Sequence, residues 1–89
     1  MREPYLEVTF RHGRPFAAYL YLPREVGDKS HRTVRVGTGM IADFSESGKP
    51  IGIELTAPSQ VSLADLNEVL SRLGGPLLSD ADVAPLRAA

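Results

Sequence analysis

The sequence predicts an α+β protein: an antiparallel meander sheet of about five strands, with one amphipathic C-terminal helix packed on one face. Two observations carry this. Five segments alternate apolar and polar residues with a period of two, the pattern of half-buried strands. One later segment carries leucines at helical spacing between a serine and a glycine suited to helix ends.

Residues 5–11 place Leu6, Val8 and Phe10 on one face and Tyr5, Glu7, Thr9 and Arg11 on the other. His12-Gly13-Arg14-Pro15 interrupts the strand, because glycine admits positive φ and proline offers no ladder donor. Residues 16–22 form the second strand. Phe16, Ala18, Leu20 and Leu22 share the inward face; Ala17, Tyr19 and Tyr21 lie on the reverse. The short connection makes the two strands a hairpin.

Pro23 to Arg32 is polar and predicts a surface loop. Thr33 to Val36 is a third strand with Val34 and Val36 inward, turned by Gly37-Thr38-Gly39. Met40 to Phe44 is the fourth, with Met40, Ala42 and Phe44 inward and Ile41 and Asp43 outward. Ser45 to Lys49 predicts a hairpin loop with Gly48 left-handed. Pro50 to Leu55 is the fifth strand, with Ile51, Ile53 and Leu55 inward and Gly52 and Glu54 outward.

The helix is marked at both ends. Ser62 suits an N-cap that accepts from the Asp65 amide, and Val61 with Leu66 suits a hydrophobic staple. Leu63, Leu66, Val69, Leu70 and Leu73 form one stripe, and Gly74 followed by Pro76 closes the helix. About eleven residues of helix do not stand alone in water, so the stripe must lie on the sheet's inward face. Residues 1–76 are expected to form one domain and 77–89 a partly ordered tail. Leu77, Leu78, Val83 and Leu86 are expected to clip back, Ser79 to Asp82 to start a short turn, and Ala88 and Ala89 to fray.

Composition narrows the function. A chain of 89 residues buries only about 60–65% of its unfolded surface, so the core is thin and a partner surface would help it. Ten basic against eleven acidic residues give a net charge of −1, which disfavours nucleic-acid binding through an overall field. With no cysteine there is no disulfide, thiolate nucleophile or cysteine-bound zinc, which fits a cytoplasmic location. Met1 to Tyr5 does not read as a signal peptide, and Phe16 to Leu22 is too short to span a bilayer.

The segment Gly39-Met40-Ile41-Ala42-Asp43-Phe44, its acidic Ser45 to Lys49 turn, and Pro50-Ile51-Gly52-Ile53-Glu54-Leu55 resemble the core hairpin of the bacterial domain of unknown function 2283 family. Tyr19-Leu20-Tyr21-Leu22 is similar to an earlier strand of that family, and the helix and tail resemble a longer subgroup. Ala42 and Ser45 stand where the family usually has valine and aspartate. The resemblance covers about half to two thirds of the chain. It implies a small α+β sheet domain with no established activity and, from members beside small toxin-like proteins, an antitoxin-like partner role.

Four sets of residues are candidates for function. Tyr5, Tyr19, Tyr21 and Ile41 fall on the face away from the helix, where an aromatic cluster suits a homodimer interface or else an ordinary wet sheet face. Arg24, Lys29, His31 and Arg32 offer cations for an anion or nucleic acid, against the simpler role of a solvated loop partly neutralised by Glu25 and Asp28. His12 and His31 lack ligand spacing with Asp43 or Glu46, so no metal or cofactor is predicted. Asp43 and Glu54 point the same way from adjacent strands. They suit charge pairing with Arg35 or Lys49, or a small ligand or metal held together with the 23–32 loop. The expected function is a non-enzymatic interaction module, homodimeric through the sheet face, with no membrane role; the alternative is the ligand- or metal-binding protein just described.

Overall fold

A computed structural model describes residues 3–87 of the chain. Met1 and Arg2, with which the expected non-signal start begins, and Ala88 and Ala89, expected to fray, lie outside the described residues.

Five strands form: β1 (Tyr5–Arg11), β2 (Arg14–Tyr21), β3 (Arg32–Gly37), β4 (Met40–Phe44) and β5 (Pro50–Leu55); β2 begins two residues earlier than expected, since Arg14 and Pro15, read as part of the break, pair with Arg11 and Phe10. All pair antiparallel in one open sheet. Their order is β1-β2-β5-β4-β3, which departs from the expected simple meander. The hairpin β1-β2 and the meander β3-β4-β5 join through β2 and β5, so the loop after β2 carries the chain to the far edge. That loop follows the strand ends: the Leu22 amide and the Arg24 guanidinium both donate to the Ile51 carbonyl, and the His31 amide donates to Phe44 O at 2.8 Å.

The helix α1 (Leu63–Leu73) has the predicted ends. Ser62 Oγ accepts from the Asp65 amide at 3.0 Å, a cap worth about 1 kcal/mol. Gly74 closes the helix at φ 75°, left-handed backbone that a side chain would strain. Val61, Leu66, Val69 and Leu70 are buried against Leu20, Ala42, Ile53 and Leu55 from the sheet, so this inner face is the hydrophobic core.

Phe10 and Phe16 correct the expectation for the first hairpin. They are 48% and 53% exposed and do not join the core. The register slips between Thr9 and Phe10, so that Thr9 faces Ala17 while Phe10 faces Pro15. A bulge re-aims the side chain of its extra residue. Phe16 accordingly lies 4.9 Å from the Arg11 guanidinium, a residue of the opposite face.

The segment after the helix packs on the same core. Asn67 receives the Leu78 amide at 2.8 Å and donates to the Leu78 carbonyl at 3.0 Å. Leu78, Val83 and Leu86 are buried, whereas Leu77 stays exposed. Ser79 and Asp82 bond reciprocally as the chain turns, and Arg87 donates to Val61 O at 3.0 Å.

Candidate functional site

With α1 and the 78–87 segment on the inner face, the outer face of the sheet carries the candidate residues. Strand registers arrange them in two transverse rows. One row runs Glu7, Tyr19, Glu54, Ile41, Arg35 across β1, β2, β5, β4 and β3. The next runs Tyr5, Tyr21, Gly52, Asp43, Thr33. Each follows from side-chain alternation once the strand order is set.

The tyrosines form a continuous aromatic ridge on β1 and β2. Tyr5 stacks on Tyr21 with centroids 4.5 Å apart, and Tyr19 meets Tyr21 edge-on at 4.7 Å. Tyr5 remains 50% exposed. Tyr21 donates to Glu7 Oε1 at 3.3 Å, and the nearby Glu7 charge is the main cause that raises the Tyr21 pKa.

Tyr19 is held more tightly. Its ring lies over Gly52, where an added Cβ would overlap the phenol. Its hydroxyl donates to Asp43 Oδ2 at 2.6 Å, a short charge-assisted bond. Partial burial, then the bond to Asp43, pushes the Tyr19 pKa up to about 12. Asp43 therefore has a phenol as its partner, where Arg35 or Lys49 was expected. The reason is register: Gly52 separates Tyr21 from Asp43 in its row and leaves room for the Tyr19 ring to reach across.

The loop cations are dispersed. Arg24 is anchored on Ile51 O and lies 5.4 Å from the Tyr21 ring centroid. Arg32 covers the Phe44 ring at 4.7 Å. Lys29 and His31 line a polar hollow of about 430 Å³ with Asp28, Ser45 and Glu46, a set that includes neither Asp43 nor Glu54. Lys49 pairs with Asp28 at 3.1 Å, and the Glu25 amide, then Lys49, holds the Asp28 carboxyl below its usual range. Among the described residues no three His, Cys, Asp or Glu side chains gather as a metal site, and His12 sits in the β1–β2 turn at φ 53°. No described helix is long and apolar enough to cross a membrane.

Glu7 and Arg35 are the residues whose place in the site the sequence reading missed. Their outward parity is visible in the sequence, but that they end the same row needs the strand order. Together the fold and this face define a small α+β protein with an open antiparallel sheet, sealed on one side and bearing tyrosines and carboxylates on the other. Comparison with known proteins finds no matching family model, no matching curated protein and no matching solved structure.

Proposed function

We propose that this protein is a non-enzymatic interaction module that pairs with a second copy of itself through the outer sheet face. The observation that carries the proposal is the ridge of three tyrosines, Tyr5 and Tyr19 each packed on Tyr21, with Tyr5 half in water. Tyrosine offers broad apolar area at small entropy cost and keeps a hydrated hydroxyl, which suits an interface that must also tolerate water. A second copy is the occupant that the ends of the row favour: with Glu7 at one end and Arg35 at the other, the row laid on its own reverse sets opposite charges together at both ends. The resemblance to the domain of unknown function 2283 family supports a second kind of partner, a small toxin-like protein, and that version rests on the resemblance alone.

The alternative, a ligand or metal held by the 23–32 loop with Asp43 and Glu54, has less geometric support. Asp43 is engaged by Tyr19 and Asp28 by Lys49. Light scattering tests the dimer. The wild type is expected at twice the 9.7 kDa chain mass, and the Tyr19→Ser/Tyr21→Ser variant at the single-chain mass with its helix signal retained. A wild type that stays at one chain mass at high concentration overturns the proposal.

A further inference from the structure

We propose that the two copies meet about a two-fold axis running along β5, so that β1 of each copy lies over β3 of the other. This rests on the reading that the outer face pairs with a second copy, and it fixes the one arrangement of that pair.

Area limits the choice first. Five strands about 4.8 Å apart and some six residues long present a planar footprint on the order of 500 Å². Stable interfaces bury about 800 Å² of accessible surface per partner. Side-chain relief adds to the planar figure, so near-complete overlap of the two sheets approaches that area and a partial overlap falls short. An axis shifted by one strand displaces the second copy by two and leaves two strands of each copy uncovered. It also leaves Glu7 or Arg35 without its counterpart.

Charge then chooses between the two axes that give complete overlap. An axis across the strands lays β1 over β1 and β3 over β3, so that Glu7 never meets Arg35. An axis along β5, the central strand, reverses the row. Glu7 then faces the second copy's Arg35, and Tyr19 faces its Ile41. In the next row Tyr5 faces the second copy's Thr33 and Tyr21 faces its Asp43, so large rings of one copy meet smaller side chains of the other. Strands aligned in this way match the common packing of one sheet face on another. One like-charge encounter follows from the geometry: Glu54 is the middle residue of the row and meets its own copy at the axis. That encounter opposes association and gives the arrangement a signature.

Sedimentation equilibrium of wild type and charge variants tests the arrangement. Glu7→Arg and Arg35→Glu are each expected to weaken the dimer about tenfold, since each sets two like-charged pairs across the interface. The two single variants mixed together are expected to form a heterodimer near wild-type strength, because both cross pairs become opposite in sign. The double variant is expected to recover likewise, and Glu54→Gln to tighten the dimer. A wild-type dimer whose strength the single variants leave unchanged, or a mixture and double variant that do not recover, overturns the axis and leaves the dimer standing. A monomeric wild type overturns the dimer itself. Glu7→Gln and Arg35→Gln, each expected to weaken association about threefold, serve if a reversal unfolds the chain, and no weakening by either likewise overturns the axis.

Discussion

The two faces of this sheet come from the same strands and differ only in the parity of their residues, yet they are finished in different ways. Leu20, Ala42, Ile53 and Leu55 point inward and are sealed beneath Leu66, Val69 and Leu70 of α1 and the Leu78–Leu86 segment. Their neighbours Tyr21, Ile41, Asp43 and Glu54 point outward and stay partly in water. Aliphatic packing is non-directional, so the inner face is closed by whatever covers it densely. The outer face holds its shape by directional contacts instead: ring on ring, phenol on carboxylate, ring on glycine. A face ordered in advance loses little entropy when a partner arrives, which is the physical link from this sheet to the proposed pairing.

The contrast breaks most readily on the inner face. Leu70→Ala removes a fully buried side chain and is expected to cost about 2–5 kcal/mol in urea unfolding. On the outer face the largest effect is expected at Gly52. Gly52→Val drives the Tyr19 ring off the strand, and overpacking of this kind costs about 1–3 kcal/mol. The late-ionising phenol should vanish from an ultraviolet titration of the same variant.

Tyr19→Phe keeps the ring and removes only the bond to Asp43, for an expected loss of about 1 kcal/mol near neutral pH. Its pH dependence sharpens the comparison. Between pH 10 and about 12 an unfolded chain has released the Tyr19 proton while the folded chain keeps it. This contribution is complete below pH 10 and is lost as pH rises toward 12. The Phe variant should lack that part of the alkaline decline in its melting temperature. The smallest effect is expected at Lys49→Met. Its ion pair with Asp28 is only partly shielded from solvent, and the melting temperature should fall by no more than a few degrees at moderate salt.

The elements were legible in the sequence because local chemistry decides them. Alternation sets the strands, Ser62 and Gly74 end the helix, and Gly48 takes the left-handed turn at φ 90°. The strand order was not legible, because β5 presents the same aliphatic face to β2 as β3 would have done. Phe10 and Phe16 were misplaced because a bulge moves one residue out of step without changing the apolar pattern around it. At the site, the outward set Tyr5, Tyr19, Tyr21 and Ile41 followed from parity. The bond from Tyr19 to Asp43 and the shared row of Glu7 and Arg35 required the register between strands remote in sequence. The tail's hold on Asn67 was hidden for a related reason, since a single polar residue on a helix does not announce a backbone partner eleven positions away.

The most direct test of the central claim is an isotope-filtered NOE experiment on a sample mixed from labelled and unlabelled chains. Pairing through the outer face predicts intermolecular contacts from tyrosine ring protons of one molecule to the Ile41 methyls of another. Spectra with only intramolecular contacts at millimolar concentration, and diffusion matching a single 9.7 kDa chain, would contradict it.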